Sequence, residues 1–191
     1  MTQKEAYKIL IETRALLEGH FELRSKLHSD RYFQCANVLC HPRHAEALCT
    51  ALVQKLKKEF RGTVQADGVI APAMGGILVG HEIARALGIR SIFAEKEEGR
   101  LVLHRFSIQP GERYIVAEDV VTRGGRVEET AQIVKGKGGE VVAVTVLVDR
   151  SGGKAKFPYP TISLLEMEPV TYEPGQCPLC AQGIPMVHPG S

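Results

Sequence analysis

Two adjacent carboxylates, Glu118 and Asp119, follow four apolar residues, Tyr114 to Ala117. Two more apolar residues and the turn Thr122-Arg123-Gly124-Gly125-Arg126 come next. The apolar run reads as a buried strand and the turn as the opening of a helix. The acids and a nest of backbone N–H groups then stand together at the carboxyl end of a strand, where ligands bind in open α/β sheets. Paired carboxylates there lose hydration and repel each other unless a cation or hydroxyl groups partner them. An amide-lined helix start suits a phosphate. The combination points to a phosphorylated ribose; an exposed Glu-Asp loop that caps the helix is the plainer alternative.

Two further turns should meet the first in space. Ala71-Pro72-Ala73-Met74-Gly75-Gly76 follows the Val69–Ile70 strand, and its glycines let backbone approach an anion at the next helix start. A tight β–α turn without a ligand would read the same. Asp149-Arg150-Ser151-Gly152-Gly153 follows the strand ending at Val148. Arg150 offers a planar fork for a carboxylate or a planar base; a surface ion pair with Asp149 is the alternative.

The elements that would hold these turns alternate. Thr2-Gln3-Lys4-Glu5 has the form of a capping box, and Ala6, Ile9, Leu10, Thr13, Leu16 and Leu17 continue at helical spacing, predicting a helix that ends near Gly19. Residues 21–38 read as a strand pair, and 43–60 as an amphipathic helix. Strands at 68–71, 91–94, 114–117 and 140–148 then alternate with helices at 76–87 and 127–135, and 161–165 adds a last strand. This rhythm predicts an α/β fold with a central, mostly parallel sheet flanked by helices. One domain is expected over residues 1–191, with 1–40 forming a small N-terminal hood and 169–191 an irregular C-terminal cover.

Composition narrows the function classes. The chain has 191 residues, a net charge of +2, 44% hydrophobic and 24% charged residues, the profile of a globular protein. Neither nucleic acid nor membrane is expected as a partner. Lys55-Leu56-Lys57-Lys58 reads as a solvated helix face, and Arg123-Gly124-Gly125-Arg126 matches an RNA-binding repeat only in letters. The most apolar run, 141–148, is of strand length. Neither a G-x-x-x-x-G-K-[ST] loop nor a G-x-G-x-x-G fingerprint is present, which removes support for nucleoside triphosphate hydrolysis and dinucleotide binding. The polar start of the chain and five cysteines without a disulfide-framework spacing predict reduced thiols in a cytoplasmic protein.

With these pieces assembled, the chain resembles the type I phosphoribosyltransferases, and within them the orotate branch of bacteria. The most specific element is 114–126, four apolar residues, two acids, two apolar residues and Thr-x-Gly-Gly. Phe21-Glu22-Leu23-Arg24-Ser25, followed by Ser29 and Tyr32-Phe33, is similar to that branch's hood. Cys177-Pro178-Leu179-Cys180 with Gly183-Ile184-Pro185 and Pro189-Gly190-Ser191 is similar to its tails. The resemblance implies transfer of a phosphoribosyl group from 5-phosphoribosyl 1-diphosphate to orotate, with Mg²⁺ held mainly by substrate rather than by protein side chains.

It further implies that Glu118 and Asp119 hold the ribose hydroxyls and that Thr122, Arg123, Gly124, Gly125 and Arg126 cradle the 5′-phosphate. Ala73, Met74, Gly75 and Gly76 would take the diphosphate. Arg150, with Thr122, Lys26 and Phe33, would meet orotate. A mobile lid would lie between Glu95 and Arg105, with Lys96, Arg100, His104 and Arg105 as its candidate cations. A homodimer is implied as well. Arg126 stands where the motif usually carries Ser or Thr, and the lid lacks the Lys-x-x-Lys-x-His spacing of familiar members.

Catalysis of this kind is electrostatic and needs no covalent nucleophile, so none is assigned to Ser29 or the cysteines. A single C-x-x-C is a weak zinc signal; Cys35, Cys40, His41 and His44 are the partners it could recruit, and thiols packed in the tail are the plainer expectation. His20 and His81 read as packed or surface histidines. Two rivals remain: transfer to another base such as a purine, and a non-enzymatic regulator that senses phosphoribosyl diphosphate on the same fold.

Overall fold

The computed structural model describes residues 1–23, 25–168 and 170–189. Arg24 of the hood motif, Pro169 at the start of the tail, and Gly190 and Ser191 at its end lie outside the described residues.

The chain begins with α1 (Gln3–Glu12), and the predicted capping box is present: the Thr2 hydroxyl accepts from the Glu5 amide, and the Glu5 carboxylate accepts from the Thr2 amide. The helix stops earlier than its apolar spacing predicts. Thr13 caps it and Arg14 turns to φ 56°, so Leu16 and Leu17 open strand β1 (Leu16–Glu22) instead of a further helical turn. Strand β2 (His28–Phe33) pairs antiparallel with β1. The short α2 (Ala36–Leu39) and long α3 (Pro42–Glu59) follow.

From there the predicted alternation holds. β3 (Gly68–Pro72), α4 (Gly75–Leu87), β4 (Arg90–Glu97) and β5 (Arg100–Val102) lead into β6 (Arg113–Val121), α5 (Gly125–Gly136), β7 (Glu140–Asp149) and β8 (Thr161–Glu166). The sheet order is β5-β4-β3-β6-β7-β8, parallel throughout except for the β4–β5 hairpin. The tail is not wholly irregular. It carries β9 (Thr171–Tyr172), a 3-10 turn (Pro174–Gln176) and the one-turn α6 (Pro178–Ala181). β9 pairs with β2, giving a second sheet of order β1-β2-β9.

Alternation along the central strands divides the core. Ile115 and Ala117 of β6 face a cluster with α3 and α4 residues such as Leu52, Leu56, Val79 and Ile83. Tyr114 and Val116 face the other side, against Val127, Ala131 and Val134 of α5. All of these are essentially solvent-free. Burying each such aliphatic side chain contributes about 1.5–3 kcal/mol, so β6 is anchored from both faces where it presents its acids.

Candidate active site

β6 does not end at the acids. Its ladder with β7 runs on through Glu118, paired with Val146, to Val121, paired with Asp149. The carboxylates therefore project from an ordered strand, a more rigid support than the loop edge expected from the apolar run alone. Glu118 is buried and Asp119 partly exposed. The Asp119 amide donates to Glu118 Oε1 at 3.1 Å, and the Val120 amide to Asp119 Oδ1 at 2.9 Å. Burial, with the Asp119 charge adding to it, pushes the Glu118 carboxyl up to about 9. Loss of hydration and a neighbouring negative charge both favour the protonated form.

The Ala73–Gly76 loop packs against these acids. A Cβ on Gly75 would lie 2.6 Å from Asp119 Oδ2, and one on Gly76 would lie 3.1 Å from the Ala117 carbonyl oxygen and from Glu118 Oε1. The loop can approach this closely only because both residues lack a side chain. Two of the three turns thus meet as expected.

On the other side of the acids is α5. Gly124, at φ 82°, is its N-cap, and no side chain caps the helix. The first-turn amides are left for a ligand, at the positive end of the helix dipole. A cavity of about 360 Å³ opens there, lined by Glu118, Thr122, Arg123, Gly125, Arg126 and Glu129 among others. Arg126 is held by Glu129, Nη1 to Oε2 at 3.2 Å. The other Glu129 oxygen accepts from the backbone amide of Leu101 on β5. Glu129 therefore ties the β4–β5 hairpin to the phosphate-sized nest, a role the sequence did not single out.

A second cavity, about 810 Å³, shares Thr122 and Arg123 with the first and continues over Tyr32, Phe33, Gln34, Arg150 and Ser151. Arg150 lies with Cζ 4.8 Å from the centre of the Phe33 ring. Burial lowers the pKa of its guanidinium. Arg150 Nε and Ser151 Oγ are both buried without a hydrogen-bond partner among the described residues. Asp149 does not pair with Arg150; its Oδ1 accepts from the Ser151 amide at 2.7 Å. An oriented, partly desolvated guanidinium beside an aromatic face is a receptor for a planar anion.

Comparison with known proteins agrees with this arrangement. The phosphoribosyl transferase domain profile matches residues 40–179. The chain belongs to the phosphoribosyltransferase family. It is 52% identical to the orotate phosphoribosyltransferase of Desulforamulus reducens over 192 residues, covering 100% of this chain and 98% of that one. The corresponding protein of Carboxydothermus hydrogenoformans is 51% identical over 188 residues, covering 98% and 97%. The crystal structure of orotate phosphoribosyltransferase from Aeropyrum pernix superposes with a TM-score of 0.69 at 23% identity, covering 84% of this chain and 92% of that one. This last likeness concerns the fold.

Within this phosphoribosyltransferase, the remaining expected residues fall into two groups. Lys96, Arg100, His104 and Arg105 lie on or just after the β4–β5 hairpin, all exposed. His104 pairs with Glu97 at 3.1 Å, and Arg105 Nε donates to Glu95 at 2.9 Å. Lys26 stands apart from the larger cavity's lining, paired with Glu22 at 2.8 Å. Tyr32, Gln34 and Ser151 also line this cavity; Tyr32 and Ser151 stood in the hood and turn motifs without an assigned role, and Gln34 gave no signal. The residues that meet the C-x-x-C are not Cys35, Cys40, His41 or His44, which the sequence offered as its candidate partners. The cluster that forms is His20, His28, Cys177 and Cys180, while Cys35 and Cys49 are buried thiols whose pKa values are raised, chiefly by burial.

Proposed function

We propose that this chain transfers the phosphoribosyl group of 5-phosphoribosyl 1-diphosphate to orotate, forming orotidine 5′-phosphate and diphosphate on the route to UMP. The observation that carries this reading is the pair of cavities joined at Thr122 and Arg123, one with acids and a bare helix start, the other with Arg150 over Phe33. Relatives about half identical along the whole chain bear the name orotate phosphoribosyltransferase. A purine offers no carboxylate to the buried guanidinium of Arg150.

In this reading the amides of 124–127 and the Arg126 guanidinium hold the 5′-phosphate, and Glu118 and Asp119 accept hydrogen bonds from the ribose hydroxyls. Ala73 to Gly76 receive the diphosphate end. The C1′–O bond to diphosphate breaks and its electron pair leaves with the diphosphate. The C1′–N1 bond to orotate forms, and the N1 proton passes to solvent. Fixed groups hold the cationic ribose in register, which is where most of the rate gain arises. Lys96, His104 and Arg105 are close enough in sequence to the hairpin tip to cover the leaving group once the hairpin folds over, excluding water.

Mg²⁺ fits this donor set, since the exposed edge of Asp119 and the substrate's own oxygens supply hard ligands. When bound it neutralises charge on the diphosphate. We also propose a homodimer, supported by Met74 and Leu78, which are exposed beside the site, and a cytoplasmic location; among the described residues no helix is long and apolar enough to cross a membrane.

The test is the ultraviolet absorbance change on mixing the protein with orotate, phosphoribosyl diphosphate and Mg²⁺. Turnover with orotate and none with adenine or hypoxanthine is expected. Turnover with a purine alone, or none with any base, overturns the reading. Light scattering of the eluting protein reads the dimer.

A further inference from the structure

We propose that His20, His28, Cys177 and Cys180 hold a structural zinc ion that fastens the C-terminal tail to the small sheet. His20 lies on β1, His28 on β2, and the two cysteines flank Pro178-Leu179 at the start of α6. The four donor atoms lie within 4.8 Å of one another. His20 Nε2 is 3.0 Å from His28 Nδ1, 3.6 Å from Cys177 Sγ and 3.7 Å from Cys180 Sγ, and Cys180 Sγ is 3.3 Å from His28 Nδ1. Zn–N bonds of about 2.0 Å and Zn–S bonds of about 2.3 Å in a tetrahedron require N–N and N–S edges of roughly 3.3–3.6 Å. The cluster is already close to that size.

The proton positions agree. His20 Nδ1 stands 2.8 Å from the carbonyl oxygen of Ile184. A carbonyl can only accept, so Nδ1 carries the proton and the Nε2 lone pair points into the cluster. A histidine ligand with its other nitrogen donating to a backbone carbonyl is the usual support of a zinc site. Two imidazoles and two thiols are a donor set suited to zinc, and four protein ligands leave no open position, which marks a structural and not a catalytic centre. His20, His28 and Cys177 are buried, and Cys180 lies at the rim.

The link would act where covalent continuity is weakest. Cys177 and Cys180 are 157 and 160 residues from His20. Backbone bonds already lay the tail along β1: the Val187 amide donates to the His20 carbonyl at 2.8 Å, and the Glu22 amide to the Val187 carbonyl at 3.2 Å. Leu23, Ser25 and Thr171, near these strands, line the larger cavity. An ion here would fix the wall of that cavity. The metal-free alternative is a His28 N–H donating to His20 Nε2 with the thiols packed around it.

Metal content of the full chain, purified under reducing conditions without chelator from zinc-supplemented cells, separates the two. About one zinc per chain is expected, falling below about a tenth in the Cys177→Ser/Cys180→Ser variant and unchanged in Cys40→Ser. Should the double variant prove insoluble, Co²⁺ exchanged into the wild-type protein gives the same answer through thiolate-to-cobalt charge transfer and intense tetrahedral d–d bands. Wild-type protein with negligible zinc and no such cobalt spectrum overturns the proposal. So does zinc retained after loss of both cysteines, or a Cys177–Cys180 disulfide in freshly isolated protein. None of these measurements uses substrate, so their result is independent of the orotate assay.

Discussion

A methyl group placed on Gly75 would lie 2.6 Å from Oδ2 of Asp119. The loop after β3 and the acid on β6 therefore occupy one another's van der Waals margin, and the glycine is a spacing element between two halves of the site. Gly75→Ala should displace either the loop or the carboxylate while leaving both core clusters intact. A fall of about a hundredfold in kcat/KM is expected from a displacement of ångström size. The melting temperature should change little. Wild-type kinetics in this variant would show that the two halves do not need their present separation.

Asp119→Asn keeps the shape and removes the charge. With Asp119 holding the ribose as proposed, loss of its charge should remove about 2–4 kcal/mol of transition-state stabilisation. Turnover should drop by orders of magnitude with a normal circular dichroism spectrum. Steady-state kinetics and spectra on the same preparation check this.

Glu118 makes a prediction about pH. Its carboxyl is raised to about 9 in the folded chain, against an ordinary value of 4.5. The folded state binds the proton more tightly than the unfolded chain, so this residue's contribution to stability is fully present below pH 4.5. It is lost as pH rises from there through about 9. Urea unfolding at pH 5, 7 and 9 should show a downward slope that Glu118→Gln flattens. A substrate whose hydroxyls donate to both carboxylates should also release a proton, readable by calorimetry in buffers of different ionisation enthalpy.

Glu129 joins Arg126 to the Leu101 amide. Glu129→Ala should free the β4–β5 hairpin and loosen Arg126 together. KM for phosphoribosyl diphosphate should rise about tenfold, the size expected for a lost charge-assisted hydrogen bond, and amide exchange at Leu101 should accelerate. Faster exchange without a change in KM would mean that the tie serves the hairpin alone.

Arg150→Lys keeps the charge and loses the fork that lies over Phe33. A lysine cannot offer bidentate geometry to a carboxylate or lie flat on the ring. KM for orotate should rise about a hundredfold, a cost of about 3 kcal/mol, with the KM for phosphoribosyl diphosphate unchanged. An equal effect on both substrates would place Arg150 in general scaffolding.

What could be read from the sequence was local. Tyr114 to Arg126 encodes strand, acids and helix start within thirteen adjacent residues, so no distant partner was needed to interpret it. Leu16 and Leu17 were misread because their spacing continues that of α1. The break at Arg14 lies in a positive φ that nothing in its residue type announces, and the strand forms because Phe33 and Tyr32 lie opposite. His20 and His28 gave no metal signal, since their seven-residue gap matches no finger spacing and their cysteines are recruited from the other end of the chain. Glu129 looked like any surface helix residue until β5 was seen against it.

The pairing of β2 with β9 has a temporal consequence. The Ser29 hydroxyl donates to the Val170 carbonyl across 141 residues, while the six-stranded sheet is finished at Glu166. Neighbouring strands of that sheet pair residues no more than 46 apart, as Gly68 with Tyr114, so it can close before Ser29 of β2 finds Thr171 of β9. Closing so long a loop is also the slower kind of folding step. The side of the enzyme that carries Glu118 and Asp119 should therefore mature first, and the cavity wall beside Leu23, Ser25 and Thr171 should be the last part of the molecule to take shape.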